Sequence, residues 1–141
     1  MKKITTKDIK KIIKYWADLQ KEYKKQFPKN RISFPEPLQK KILIDCFDNA
    51  LVLSNNSAYD FCGNVELKSS CGKNGGCTPF KPTQNNCSRI LYVEIGENYF
   101  DIYDLNGNDV IAINALVSKS KKPTNIRLAN YKQNATKTSL I

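Results

Sequence analysis

Histidine is missing from this chain of 141 residues. Without it the chain cannot use a Ser-His-Asp triad, a Cys-His nucleophile, a histidine-metal nuclease centre or a Cys₂His₂ zinc finger. Any hydrolytic chemistry would therefore depend on carboxylates, lysine or a bound metal ion.

Long hydrophobic runs are missing as well. No apolar segment approaches the roughly 20 residues that span a bilayer. The first residues, Met1–Thr5, turn amphipathic at once instead of forming the apolar core of a signal peptide. We therefore expect a cytoplasmic protein that makes no use of a membrane.

Acidic residues and arginine are scarce relative to lysine. The chain has 23 lysines and arginines against 13 aspartates and glutamates, and its formal net charge is +10. This excess predicts a polyanionic partner, either nucleic acid or an acidic membrane surface. Charge alone does not choose between them.

The cysteines are odd in number and show no paired short spacing. There are five, and in a reducing compartment they are expected to stay reduced and partly buried. A Cys₄ zinc site remains an alternative because four of them fall between positions 62 and 87, although no Cys-x₂-Cys pair is present. The five are Cys46, Cys62, Cys71, Cys77 and Cys87.

Apolar periodicity predicts two helices in the first third of the chain. Isoleucines, Trp16, Leu19 and Tyr23 recur at three- and four-residue steps over residues 5–26, behind a Thr5–Asp8 capping box. Pro35-Glu36-Pro37 is typical of a second helix, which the pattern extends to about residue 53.

The remainder is predicted to be a sheet and a tail. Residues 65–68, 89–95 and 99–105 are expected to be strands, Asn106-Gly107-Asn108 a turn, and Val110–Val117 either strand or helix. The basic residues 119–141 are expected to order only on contact with a partner. The fold class is therefore α/β (α+β), a single domain with a mixed central sheet flanked by helices. Its parts are a helical region (1–54), the sheet (55–118) and a basic tail (119–141).

The most informative pattern is Asp60 followed by Glu66-Leu67-Lys68. In a strand, Glu66 and Lys68 project from one face while Val65 and Leu67 enter the core. The turn formers in Phe61–Asn64 would fold the chain back and place the Asp60 carboxylate beside that of Glu66. Adjacent carboxylates repel, and a divalent cation such as Mg²⁺ removes the repulsion. Lys68 would then face a phosphate and the metal-bound water.

Two other acid-x-Lys triplets occur, Asp8-Ile9-Lys10 and Glu22-Tyr23-Lys24. Both lie in the first predicted helix, where residues two apart do not face each other, so they are typical of solvated surface. The alternative for the third triplet is an exposed hairpin with ordinary surface charges.

Residues 69–88 form a long polar stretch after the predicted strand 65–68, and they show no usable periodicity. Loops of this length are usually functional or disordered, and its side chains can bind phosphates and base edges. We expect a loop that faces DNA, with a mobile surface loop as the alternative. The candidate DNA-binding residues are Ser69, Ser70, Lys73, Asn74, Thr78, Lys81, Asn85 and Asn86.

These segments resemble a known nuclease signature. Tyr59-Asp60-Phe61 followed by Val65–Ser70 is similar to the motif of the PD-(D/E)xK nucleases, whose fold most type II restriction endonucleases share, with Tyr59 in place of the proline. Phe34–Leu38 and Thr78–Pro82 resemble features that flank the catalytic core in short restriction enzymes that cut interrupted GC-rich palindromes. The similarity spans roughly residues 32–105, and it implies a restriction-endonuclease-like sheet.

The resemblance also implies roles for individual residues. Asp60, Glu66 and the backbone carbonyl of Leu67 would ligate Mg²⁺, and Lys68 would orient or deprotonate the attacking water. Glu36 would add a further carboxylate behind these ligands, unless it only complements the helix dipole.

For the substrate, the resemblance implies double-stranded DNA cut to leave 5′-phosphate ends. Arg89 and Arg127 are candidate readers of guanine. A palindromic site implies a homodimer, and a DNA methyltransferase is the expected functional partner. The alternatives are a repair or junction-resolving nuclease of the same fold, or a non-catalytic, zinc-stabilised nucleic-acid-binding module.

Overall fold

The first helix, α1 (Thr6–Gln26), forms where its capping box and apolar periodicity predict it. The Asp8 N–H donates to Thr5 Oγ1 at 3.2 Å, and the Asp8 carboxylate accepts from the Thr5 N–H. Ile9, Ile13 and Ala17 are buried on its inner face. The computed structural model describes residues 2–55 and 58–141.

The second helix, α2 (Glu36–Ile42), is shorter than predicted. It continues as a single π-helical turn, Leu43–Phe47, and the Asp48 N–H closes that turn on the Leu43 carbonyl at 2.8 Å. The expectation of helix up to about residue 53 is therefore wrong. Asp48 is extended, with φ −145° and ψ 102°, and its carboxylate binds Arg89, which lies 41 residues further along the chain, at 2.7 Å.

A four-stranded mixed sheet forms the centre of the domain, as predicted. The strands of the chain are β1 (Val65–Cys71), β2 (Thr78–Phe80), β3 (Arg89–Gly96), β4 (Tyr99–Asp104), β5 (Thr124–Ile126) and β6 (Thr136–Ser139). The strand order of the main sheet is β1-β3-β4-β6, and only its β1–β3 pair is parallel. A second, two-stranded sheet pairs β2 with β5.

The two faces of the main sheet bury separate apolar clusters. Val65 and Leu67 of β1 face the cluster that contains the inner residues of α1 and α2. The opposite face, with Ile90 and Tyr92, packs against α3 (Gly107–Ser118) and the small sheet. Helices thus flank the mixed sheet on both sides, as the pattern indicated. No helix in the described part of the chain is both long and apolar enough to cross a bilayer.

The predicted turn at Asn106–Asn108 is instead the start of α3. The Asn106 side chain accepts from the Asn108 N–H at 2.7 Å, which caps the helix. The ambiguous stretch Val110–Val117 is therefore helical.

The polar stretch 69–88 contains more regular structure than predicted. Strand β1 runs on through Cys71, so Ser69 and Ser70 belong to the sheet and not to a loop. Thr78–Phe80 forms β2, whose partner β5 lies more than forty residues further along the chain.

The prediction that residues 119–141 order only on contact with a partner is wrong. They form β5, a 3₁₀ helix (Leu128–Asn134) and β6. Glu94 and Asp101 lie directly opposite each other on β3 and β4, and both are buried. Lys132 lies 2.8 Å from Glu94, and Ser139 Oγ donates to Asp101 at 2.7 Å. The C-terminal segment is held in place because it supplies the partners of these two acids.

Candidate active site at the edge of the sheet

The structure brings Asp60, Glu66 and Lys68 together in one cleft of about 350 Å³ beside strand β1. The cleft lies between the start of α2 and the turn that follows β2. Its other lining residues are Glu36, Lys40, Ser54, Ala58, Tyr59, Leu67, Lys81 and Gln84.

A tight turn places Asp60 in this cleft. Phe61, fully buried, bridges to Val65 across Cys62-Gly63-Asn64. Gly63 and Asn64 have φ values of 80° and 61°, a left-handed conformation that glycine and asparagine adopt at low cost. The hairpin predicted from the turn formers is therefore present, and it sets Asp60 against the backbone of β1.

The backbone of Leu67 opens towards Asp60. Its N–H donates to Asp60 Oδ2 at 2.8 Å instead of joining the ladder with β3. The N–H and C=O of a strand residue point to the same side of the strand. The Leu67 carbonyl therefore faces the same open edge as Asp60, which is the orientation predicted for a metal ligand.

Glu66 is held almost out of water, with 2% of its surface exposed. Its Oε2 atom accepts from Gln84 Nε2 at 2.7 Å and lies 2.9 Å from Lys68 Nζ. Burial, aided by its hydrogen bond with Asp60, raises the pKa of Glu66 to about 7. Burial acts in the same direction on Asp60, but hydrogen bonds with Glu66, the Leu67 N–H, Glu36 and Lys40 outweigh it and lower the Asp60 pKa. The two carboxylates thus differ in proton affinity.

Lys68 is fixed by four contacts. Besides Glu66, its ammonium donates to the Pro79 carbonyl at 2.9 Å and to Gln84 Oε1 at 3.3 Å. It also lies 4.7 Å from the centre of the Phe80 ring. Its position is therefore determined before any ligand enters the cleft.

Lys40 and Gln84 are the residues that sequence reasoning missed. Lys40 Nζ lies 3.1 Å from Asp60 Oδ1 and 3.5 Å from Glu36 Oε1. Gln84, 6% exposed, bonds both Glu66 and Lys68. In the sequence, Glu36 and Lys40 look like an ordinary surface pair four apart on a helix, and Gln84 is one polar residue among many.

Three of the predicted DNA-binding residues lie at this edge. Lys81 lines the cleft itself. Ser69 and Thr78 line an adjoining groove along β1 that shares Glu36, Leu67 and Lys68 with the cleft. A ligand extended along the β1 edge would meet all three.

Other candidates lie elsewhere. Ser70 packs against the Tyr92 hydroxyl, and Lys73 stacks on Tyr99. The Asn74 N–H donates to Glu94, and its carbonyl accepts from the exposed Arg127 at 3.4 Å. Asn85 and Asn86 are exposed, and the Asn86 backbone joins Asn64 and Tyr59.

Arg89, the other predicted reader of guanine, is bound by two carboxylates of the protein. Its guanidinium binds Asp104 through Nε and Nη2 and Asp48 through Nη1, at 2.7 to 3.2 Å. These carboxylates accept from each of its three nitrogens, and the side chain is 29% exposed.

The cysteines do not form the Cys₄ zinc site that the sequence allows. All five are free thiols. Among residues 2–55 and 58–141, no three cysteine, aspartate or glutamate side chains form a group that could hold a metal ion. Burial raises the pKa of Cys87, which lies nearest the cleft, to about 12, so this thiol stays protonated.

A comparison with known proteins finds no family model, curated protein or solved structure that matches this chain.

Proposed function

We propose that the protein is a Mg²⁺-dependent nuclease of the PD-(D/E)xK type, a type II restriction endonuclease that hydrolyses double-stranded DNA. The observation that carries this proposal is the convergence of Asp60, Glu66 and Lys68 in a polar cleft, around an outward-facing Leu67 backbone. This cleft combines the buried Glu66, the partly buried Asp60 and Lys68 with an open strand edge.

The residues present fit a magnesium ion. Asp60, Glu66 and the Leu67 carbonyl offer three oxygen donors, and Mg²⁺ commonly takes only one or two protein carboxylates when phosphate and water complete its shell. Bound there, the ion would neutralise the adjacent carboxylates and polarise the phosphate. A site with two carboxylates and one backbone oxygen also agrees with the absence of a three-side-chain metal group in the part of the chain described.

The side chains of the cleft then divide the hydrolytic work. Lys68, held by Pro79 and Gln84, orients the attacking water and stabilises the negative charge that develops at phosphorus. Water adds to phosphorus and the bond to the 3′ oxygen breaks, which leaves a 5′ phosphate and a 3′ hydroxyl. Gln84 positions both Glu66 and Lys68, and Lys81, Ser69 and Thr78 bind the sugar–phosphate backbone alongside.

The substrate and partners follow from the same proposal. The net charge of +10 favours a polyanion such as duplex DNA. Cleavage of a palindromic site requires two copies of the cleft, hence a homodimer. The enzyme would act in the cytoplasm beside a DNA methyltransferase that protects the host sequence.

The test uses Asp60→Ala, Glu66→Ala and Lys68→Ala, incubated with phage DNA and Mg²⁺. Each variant is expected to lose cleavage by at least about a hundredfold, since each removes charge placed at the reacting phosphate, while DNA binding in Ca²⁺ persists. Glu22→Ala and Lys24→Ala are matched controls, because these two residues form the same acid-x-Lys pattern but lie on the solvent face of α1.

Normal digestion by any of the three cleft variants contradicts the proposal. Discrete bands from the wild-type protein indicate a restriction enzyme. A smear, or cleavage confined to branched DNA, indicates a repair or junction-resolving nuclease with the same cleft.

A further inference from the structure

Both oxygens of the Asp60 carboxylate already have a partner. Oδ2 accepts from the Leu67 N–H at 2.8 Å, and Oδ1 lies 3.1 Å from the Lys40 ammonium. Oδ1 is therefore covered by a positive charge that belongs to the protein.

The same ammonium also contacts a second carboxylate, one helical turn earlier on α2. Glu36 Oε1 is 3.5 Å from Lys40 Nζ, and the Glu36 side chain is 62% exposed whereas that of Asp60 is 13% exposed. The flexible stem of lysine lets its ammonium move between two neighbouring carboxylates without a change in the helix. Lys40 thus bridges the two carboxylates, and its ammonium can give up Asp60 while it keeps Glu36.

We propose that Lys40 is a tethered cation that competes with the divalent metal ion for Asp60. This inference rests on the proposed function, because it concerns the same metal site. An ammonium and a divalent cation at one carboxylate oxygen repel each other, so each weakens the binding of the other. Metal binding requires Lys40 to leave Asp60, and Glu36 receives it.

The free protein therefore binds the metal ion weakly, and the complex of the protein with nucleic acid binds it more tightly. A phosphate group that enters the cleft adds negative charge and draws Lys40 and the metal ion to itself. The metal site is then completed by the substrate, so hydrolytic capacity develops only on the bound nucleic acid.

The experiment measures binding of Mn²⁺ alone to the DNA-free protein by isothermal titration calorimetry. Lys40→Met removes the ammonium and keeps the stem, and it is expected to bind Mn²⁺ at least about tenfold more tightly than the wild type. Lys41→Met is the matched control: the adjacent lysine pairs with Asp45, 2.8 Å away and outside the cleft, so the affinity should not change. Adding Asp60→Asn to Lys40→Met should abolish the gain in Mn²⁺ affinity.

Glu36→Gln tests whether the Glu36 carboxylate holds the Lys40 ammonium when the metal ion binds Asp60. With Glu36 neutral, Lys40 stays on Asp60, and Mn²⁺ affinity should fall severalfold relative to the wild type. In the Lys40→Met background the same change should have little effect. An equal loss of Mn²⁺ affinity in both backgrounds means that Glu36 acts on the metal ion directly. That result overturns the role of Glu36 as the residue that holds Lys40.

Other outcomes separate this inference from the proposed function. Unchanged or weaker Mn²⁺ binding by Lys40→Met and by Lys40→Gln, both folded by circular dichroism, overturns the role of Lys40, even if the wild type cuts DNA. No Mn²⁺ binding by any variant overturns it as well. Tighter binding by Lys40→Met in a protein that cuts no nucleic acid supports the role of Lys40 and contradicts the nuclease.

Discussion

Glu66 combines a carboxyl group with an almost dry environment, and the combination makes the stability of the protein depend on pH. Its pKa rises from 4.5 to about 7 on folding, so the folded chain holds this proton more tightly than the unfolded chain does. The stabilisation of the folded state by the proton on Glu66 is fully present below pH 4.5 and is lost as the pH rises through about 7. Above that range the folded state contains a buried charge.

We expect Glu66→Gln to be more stable than the wild type by about 1 to 3 kcal/mol near pH 8, because glutamine keeps the shape without the charge. The difference should shrink towards pH 5 or so, where Glu66 is protonated. Thermal unfolding midpoints recorded across this range measure it. Glu22→Gln, at an exposed position, is the control, and parallel profiles for Glu66→Gln and the wild type would refute the prediction.

At the scale of elements, Arg89 joins three pieces of the fold. It lies at the first residue of β3 and binds Asp104 at the end of β4 and Asp48 at the end of the π-helical turn. The pairs are about 70% buried, with side-chain exposures of 27% to 29%. Each carboxylate therefore depends on this single guanidinium for its counter-charge.

Arg89→Met should lower the free energy of unfolding by about 2 to 3 kcal/mol, because it leaves two partly buried carboxylates unpaired. Urea denaturation measures the loss. Lys21→Met, which breaks the exposed Lys21–Glu97 pair, should cost less than about 1 kcal/mol. A stable Arg89→Met protein with an altered cleavage pattern would instead support the base-reading role.

Elements with local signals could be predicted from the sequence, and elements defined by distant partners could not. The capping box and periodicity of α1 and the apolar strands β1, β3 and β4 are local signals. Asp48, just past the π-helical turn that follows α2, binds Arg89, and β2 pairs with β5. Nothing in the sequence near these elements indicates either partner.

The same distinction applies to the cleft. Asp60, Glu66 and Lys68 could be predicted because one short turn connects them. Lys40 and Gln84 reach the cleft through the packing of α2 and of the turn after β2. Isolated lysine and glutamine residues are common on protein surfaces, so only the tertiary structure identifies these two.

For the whole molecule, the excess positive charge lies outside the cleft. The cleft lining contains three carboxylates, Glu36, Asp60 and Glu66, and three lysines, Lys40, Lys68 and Lys81. These charges cancel, so the net charge of +10 is distributed over other surfaces, among them the lysine-rich outer face of α1. The proposed attraction of a polyanion would therefore be a property of the surface as a whole.

Affinity for duplex DNA, measured by fluorescence anisotropy at constant Ca²⁺, should fall steeply with added salt, with a logarithmic slope of about 0.9 for each phosphate contact. Replacing Lys10 and Lys14 on α1 by glutamine should reduce the slope if this face contacts DNA. Replacing Lys41, which is paired with Asp45, is the control. Binding that is insensitive to salt would exclude an electrostatic mode of association.

The facing acids of β3 and β4 have a consequence for biosynthesis. Glu94 and Asp101 pair with Lys132 and Ser139, which are made some forty residues later. Until that stretch is made, Glu94 accepts only from the Asn74 N–H and the Tyr92 hydroxyl, and the lysines beside the two acids, Lys132 and Lys137, are absent. Translation of residues 132–139 therefore supplies β6 and the cations beside both acids, so a nascent chain interrupted before it lacks one edge strand of the main sheet.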